Sequence, residues 1–96
     1  MAVVRTTRFR AEHTTTEKVL DTRARLIAAV RASHPGLTEA RLARLEDGTW
    51  VDAWRWESPE AMQAALASAP SLPEAAAAFA LATDTTAENA LVVDER

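Results

Sequence analysis

Residues 47–60 read DGTWVDAWRWESPE, and this stretch decides the fold of the chain. Its first two residues, Asp47-Gly48, favour a type I′ hairpin turn, because both central residues of that turn need positive φ. The alternation that follows is typical of a strand, so the three tryptophans, all at even positions, share one face of it. The step Ser58-Pro59-Glu60 then predicts a helix with Ser58 as its N-cap, since proline is favoured at the first helical position and glutamate beside the positive helix end.

The residues before this stretch predict a strand, a helix and a further strand. Val3 to Arg10 is short and rich in β-branched residues, as strands are. Thr14 and Glu17 form a capping box that predicts a helix start, with Thr14 as the N-cap. The step His34-Pro35-Gly36 predicts its end, because proline disfavours the helical conformation in the preceding residue and glycine accepts a left-handed turn. The two hairpin strands are expected at about Thr38 to Glu46 and Thr49 to Glu57.

The residues after the tryptophan strand predict a helical segment in two pieces and a last strand. The first piece is expected from Pro59 to about Ala69. Ser71 to Glu74 is a second capping box, which predicts a short helix through the alanine run as far as Phe79 or Leu81. Residues 83–87 are expected to be irregular, and residues 89–94 to form the final strand.

The composition excludes several classes of protein. The 96 residues, expected to form one domain over 1–96, carry 11 Lys and Arg against 14 Asp and Glu. The resulting net charge of −3 gives no reason to expect binding to nucleic acid or to an anionic membrane surface. The absence of cysteine rules out disulfides and thiolate chemistry. No apolar run approaches the ~20 residues of a membrane span, so a cytoplasmic location is expected.

The predicted order of elements is β-α-β-β-α-β. This is the split βαβ arrangement of ferredoxin-like α+β domains, a four-stranded antiparallel sheet with its helices on one face. The other face would meet water, yet strand three places Val51 and Ala53 there. An apolar second face of a small sheet is usually covered by another copy of the chain. The sequence therefore predicts a homodimer in which two sheets pack face to face.

Residues 47–61, DGTWVDAWRWESPEA, also resemble a known family, because one helix precedes them and a helix and a valine-rich last strand follow. The arrangement is similar to the antibiotic biosynthesis monooxygenase family of dimeric α/β barrels. In that family a strand ending in an aromatic-Glu-Ser step runs into a helix, as Trp56-Glu57-Ser58 does here. The resemblance implies a barrel of two sheets across a dimer axis and, in each subunit, a small-molecule pocket between the sheet and its helices.

The resemblance implies two kinds of chemistry. Some members oxidise flat polycyclic phenols with molecular oxygen and no cofactor, using a pocket tryptophan with an asparagine and a tyrosine nearby. Others degrade haem with an asparagine, a tryptophan of the third strand and a histidine of the second helix. This chain has no tyrosine, its one asparagine is Asn89, and its histidines, His13 and His34, bracket the first helix. A cofactor-independent monooxygenase acting on a planar aromatic, polyketide-type molecule is therefore expected, and a non-catalytic dimer that binds a hydrophobic small molecule is the alternative.

Trp50, Trp54 and Trp56 are the candidate substrate-binding residues. Their indoles would form a stacking wall for a planar aromatic ligand, with N–H groups as donors. The alternative is that they fill the core between sheet and helices, since large aromatic side chains dominate cores by area. Both interpretations place the three side chains on the covered face of the sheet.

Asp52 and Asn89 are the candidate catalytic residues. Asp52 lies between two tryptophans on the same strand face, where a partly desolvated carboxylate could act as a general base toward a phenol. The alternative for Asp52 is an ion pair with an arginine such as Arg5, Arg8 or Arg41, or an exposed position near the strand end. Asn89, on the last strand, is the other polar candidate.

The remaining chemically active side chains are histidines and arginines. His13 and His34 are separated by a helix about 30 Å long, so they cannot share a metal within one subunit and no metal site is expected. The arginines between Arg5 and Arg10 could bind an anionic group, or they could protect the edge of a sheet from stray pairing.

Overall fold

The predicted ferredoxin-like fold is confirmed by the computed structural model, which describes all 96 residues. Its sheet is antiparallel, with strand order β2-β3-β1-β4, and β1 therefore lies inside the sheet. The elements are β1 (Val3–Arg10), α1 (Thr16–Ser33), β2 (Leu37–Arg44), β3 (Trp50–Trp56), α2 (Pro59–Ser68), a 3₁₀ turn (Ala69–Ser71), α3 (Pro73–Ala80) and β4 (Thr83–Leu91).

The main core lies between the sheet and the helices. Trp56 and Val30 are its most deeply buried large side chains, and Leu37, Met62 and Ala65 pack with them. The even-numbered face of β3 is thus the covered face, as the alternation predicts. No helix of the chain combines the length and the apolar character that crossing a bilayer requires.

The hairpin between β2 and β3 differs from the predicted type I′ turn. Only Gly48 has positive φ, at 91°, whereas a type I′ turn also needs positive φ at the preceding residue. The Gly48 N–H donates to Leu45 O at 2.9 Å, and the Leu45 N–H donates to Thr49 O at 2.8 Å. This is a type I turn closed by a glycine bulge. Asp47 stabilises it instead through its side chain, whose Oδ1 accepts from the Thr49 N–H at 2.9 Å.

Both ends of α1 also differ in detail from the sequence prediction. The N-cap is Thr15, not Thr14, because the helix begins one residue later and Thr15 Oγ1 accepts from the Lys18 N–H at 3.1 Å. The helix ends at Ser33 with His34 as its C-cap, so the predicted stop is present, but Gly36 does not adopt a left-handed conformation. Gly36 is needed for space instead, since a Cβ atom there would lie 2.9 Å from Ala61 Cβ.

The last helix and last strand show two further differences. The predicted capping box at Ser71 does not form, since the N-cap of α3 is Leu72, whose side chain has no acceptor, and Ser71 Oγ donates back to Ser68 O at 2.7 Å. Strand β4 begins at Thr83, six residues before the predicted start, and pairs with β1 along its length. All its residues are exposed, so no apolar alternation marks the strand in the sequence.

Candidate functional site

A cavity of about 170 Å³ lies between the covered sheet face and the helices. Its lining is mostly apolar, with a few charged and hydroxyl side chains among the hydrophobic ones. An apolar cavity of ~150 Å³ is large enough for benzene, so this one holds about one aromatic ring. The sheet contributes Arg5, Thr7, Phe9, Asp52, Trp54, Trp56 and Thr85 to its wall.

The three tryptophans of β3 have different environments. Trp54 is half-buried at the cavity wall, with its ring centroid 6.4 Å from that of Trp56. Trp56 is only 2% exposed, belongs to the main core, and has a buried Nε1 donor with no hydrogen-bond partner. Trp50 lies outside the cavity lining, stacked on Phe9 at 6.4 Å and with the Arg44 guanidinium 4.5 Å from its ring centroid.

Asp52 is 8% exposed and forms an ion pair with an arginine of α1. Arg23 donates to it through Nε and Nη2, to Oδ2 and Oδ1 respectively, each at 3.0 Å. Trp54 Nε1 donates to Oδ1 as well, at 2.9 Å. The paired carboxylate considered from the sequence is therefore present, but its partner is Arg23 and none of the three arginines named for it. This parallel two-bond geometry fixes both side chains, and through Oδ1 it also fixes the Trp54 indole.

Asn89 lies on the exposed edge strand β4 and is not part of the cavity lining. Its side-chain oxygen accepts from Arg5 Nη1 at 2.9 Å. Arg5 does line the cavity, so Asn89 touches the site only through that guanidinium. The two candidate catalytic residues are consequently on β3 and β4, with β1 between them.

Among the lining residues that were not identified from the sequence, Arg23 and Thr22 are the polar ones on a helix. Arg23 lies on the apolar stripe of α1 between Val19 and Leu26, and an arginine on a buried helix face is the signal that could have marked it. Thr22, also on α1, is 7% exposed and lines the same cavity. Threonine is common on both the buried and the exposed faces of helices, so the position of Thr22 in the sequence does not indicate that it lines a cavity.

The histidines lie away from the cavity. His34 Nε2 is 2.7 Å from Ser68 Oγ, between the end of α1 and the end of α2. No three His, Asp or Glu side chains of the chain come together as ligands for a metal ion. The polar chemistry of the site is thus that of Arg5, Arg23, Asp52 and the neighbouring hydroxyls.

Known proteins of this architecture include an oxygenase. SnoaB from Streptomyces nogalater, a cofactor-independent oxygenase, is 28% identical, with a TM-score of 0.79 over 98% of this chain and 95% of its own. A Caulobacter crescentus protein at 15% identity has a TM-score of 0.73 over 97% and 91%. A MhuD variant, solved with two manganese protoporphyrin IX molecules bound per active site, is 24% identical with a TM-score of 0.66 over 98% and 97%. The last two similarities show the fold alone.

The two sequence comparisons gave different results. No curated protein matches the chain. The profile described as antibiotic biosynthesis monooxygenase matches residues 2–81, which is most of the chain.

Proposed function

The chain belongs to the antibiotic biosynthesis monooxygenase family, and we propose that it is a cofactor-independent oxygenase whose substrate is a planar aromatic, polyketide-type molecule. One observation carries this proposal. The Trp54 indole stands at the wall of an apolar cavity and is held there by Asp52, which Arg23 fixes in turn. The similarity to SnoaB supports the same assignment.

The shape of the cavity favours a flat ligand. A ring placed against Trp54 would gain offset stacking on the indole, and the apolar lining would exclude water from its other face. At about 170 Å³ the cavity encloses roughly one ring of a polycyclic molecule. The remaining rings would extend past Leu66 and Phe79, which line the cavity and are 38% and 58% exposed.

The reaction needs no cofactor if the substrate itself supplies the electrons. A hydroxyanthrone illustrates the balance: its ring CH₂ reacts with O₂, one oxygen atom becomes the new carbonyl, and the other leaves as water with the two hydrogens. Ionisation of the substrate hydroxyl makes the ring electron-rich enough for this step. The protein would contribute orientation against Trp54, exclusion of water, and the positive charge of Arg23 near the ionised oxygen.

Asp52 is the candidate proton acceptor in this scheme. Its Oδ2 accepts one hydrogen bond, from Arg23 Nε, and a carboxylate oxygen has a second lone pair for a substrate hydroxyl. The proton would move from the phenol to Oδ2 while Arg23 stays in place.

A second function is favoured by the same hydrogen bonds. Both oxygens of Asp52 are already engaged, by Arg23 and Trp54, and the one asparagine of the chain lies outside the cavity. In this alternative, Asp52 only holds the Trp54 indole in place and accepts no proton. The second candidate is therefore a non-catalytic protein that binds the same class of aromatic molecule.

Oxygen uptake in the presence of a hydroxyanthrone separates the two functions. The proposed oxygenase would accelerate O₂ consumption and form the corresponding hydroxyanthraquinone, and Trp54→Leu would abolish most of this activity. Arg25→Gln, a change on the exposed side of α1, is the matched control and should leave the rate unchanged. Binding of the hydroxyanthraquinone without accelerated uptake would identify the non-catalytic function, and absence of both would contradict the two candidates together.

A further inference from the structure

The arginines of β1 are not equivalent. Arg8 pairs with Glu88 at 2.8 Å, and Arg10 pairs with Glu12 at 2.6 Å. Arg5 has no carboxylate partner, and its one side-chain hydrogen bond is to the neutral amide of Asn89. Protection of a sheet edge does not explain Arg5, because β1 lies between β3 and β4.

Arg5 lies on the covered face of the sheet, beside Trp54. The register pairs Arg5 with Trp54 on β3 and with Asn89 on β4. Directly opposed residues of an antiparallel sheet project to the same side, so these three side chains form one row across the cavity floor. Arg5 is half-buried and lines the cavity, whereas Asn89 at the outer end of the row is exposed.

The charges at the cavity do not balance. The charged residues of its lining are Arg5, Arg23 and Asp52. Arg23 and Asp52 neutralise each other through their ion pair at 3.0 Å. Arg5 is left as a partly desolvated guanidinium without a counter-charge, and a half-buried charge of this kind is stabilised when an anion binds beside it.

We propose that Arg5 binds a carboxylate group of the aromatic ligand, with Asn89 as a positioning residue that holds the guanidinium in place; this rests on the proposed function of the cavity. Asn89 occupies only Nη1, and Nε and Nη2 remain for the ligand. A planar guanidinium matches a carboxylate in geometry as well as in charge, which a lysine would not. The substrate class is thereby narrowed to planar aromatic acids.

Calorimetric titration of the whole chain with 2-naphthoate and 2-naphthamide tests the proposal. The two probes have the same rings and differ in charge. At low ionic strength we expect naphthoate to bind roughly ten-fold more tightly, which is the usual size of a hydrogen bond to a charged group. Arg5→Met should remove the preference, so that naphthoate and naphthamide bind the variant with equal affinity.

Two further variants keep the test decisive. Arg25→Gln also removes one positive charge but lies on the exposed side of α1, so the preference for naphthoate should persist. Asn89→Ala, at an exposed position, should reduce the preference for naphthoate, and Arg5→Gln replaces Arg5→Met if the latter fails to fold. Equal binding of the two probes by the wild type, or a preference for naphthoate that survives loss of Arg5, overturns the proposed role of Arg5. Either result leaves the proposed function of the cavity standing. Failure of both probes to bind overturns the proposed function, and the role of Arg5 with it.

Discussion

Asp52 links helix α1 to Trp54 at the cavity wall. It receives hydrogen bonds from Arg23 on α1 and from Trp54 on its own strand. The Asp52 and Arg23 side chains are 12% and 19% exposed, so both charges are largely removed from water. Loss of either partner leaves the other buried and unpaired, which costs far more than loss of an exposed pair.

A double-mutant cycle measures this difference. We expect Asp52→Asn and Arg23→Met each to lower the free energy of unfolding by about 2–4 kcal/mol, and the double variant to lose about 1–3 kcal/mol less than their sum. The exposed pair Asp21–Arg25 on the same helix is the control, with a coupling of about 0.3–0.5 kcal/mol. Chemical denaturation of the seven proteins, with the wild type common to both cycles, gives both values. A coupling for Asp52 and Arg23 no larger than that of the control pair would contradict their role as a structural unit.

For single residues, the sequence predicts which side chains lie on the covered face better than it predicts which groups they contact. The even spacing of Trp50, Asp52, Trp54 and Trp56 placed all four on the covered face of β3. The positions of the helices over that face decide which of the four side chains line the cavity. The alternation within one strand does not predict those positions. Their roles in substrate binding and catalysis, like that of Asn89, stay predictions.

Among the elements, the junction between α1 and β2 depends on close packing at Gly36. This residue is buried, and an added Cβ would lie 2.9 Å from Ala61 Cβ and 3.1 Å from Glu57 Oε1. The α2 helix therefore approaches the backbone at this point more closely than any side chain would allow.

The sign of the stability change caused by Gly36→Ala tests this packing. Without a clash the substitution would stabilise the protein by about 0.4–1 kcal/mol, because it restricts the unfolded chain. With the observed contact we expect a loss of about 1–3 kcal/mol. Thermal unfolding of Gly36→Ala, alone and combined with Ala61→Gly, measures the effect. The two changes together should cost less than the sum of the single ones, and a stabilising Gly36→Ala would show that the junction is open.

The β2–β3 hairpin gives a pH-dependent prediction. The backbone N–H of Thr49 holds the pKa of Asp47 below its ordinary value of 3.8, with a smaller contribution from the Thr49 hydroxyl. A carboxyl with a lowered pKa stabilises the folded state above its ordinary value, and this contribution is lost as pH falls through the lowered one. The melting temperature of Asp47→Ala should therefore lie below that of the wild type at neutral pH, and the gap should narrow below pH 3.8. A gap independent of pH would indicate that the carboxylate charge does not support the turn.

The elements also show where sequence reasoning fails. Strand β1 and helix α2 were predicted to within a residue, because the β-branched residues of β1 and the Ser58 cap of α2 are local signals. The start of β4 was missed because the strand exists only through its hydrogen bonds to β1, and both its faces are exposed. The turn type was missed because Asp-Gly suits a type I turn with a glycine bulge as well as a type I′ turn.

For the whole molecule, the open face of the sheet bears on assembly. Val4, Val51 and Ala53 lie there, only half-buried, beside the Arg8–Glu88 pair. The C-terminal segment reaches the same face, where Glu95 accepts from Arg55 Nε and Nη2 at 2.6 and 2.7 Å. A face with this apolar centre and charged border resembles a protein interface more than a solvated surface.

The homodimer predicted from the sequence can be tested on this face. In sedimentation equilibrium at micromolar concentration we expect a species of twice the 10.4 kDa chain mass. Ala53→Glu places a charge at the centre of the open face and should yield monomers, whereas Ala67→Glu on the exposed side of α2 should not. A wild type that sediments only as a 10.4 kDa species would contradict the dimer.

The central claim is that the cavity beside Trp54 binds a planar aromatic molecule, and tryptophan fluorescence tests it most directly. Titration with a hydroxyanthraquinone should give saturable quenching in the wild type. Trp54→Phe should lose a larger part of that quenching than Trp50→Phe, because Trp54 lines the cavity together with Trp56 whereas Trp50 lies outside it. Quenching that is absent, or that persists unchanged in Trp54→Phe, would contradict the assignment of this cavity as the ligand site.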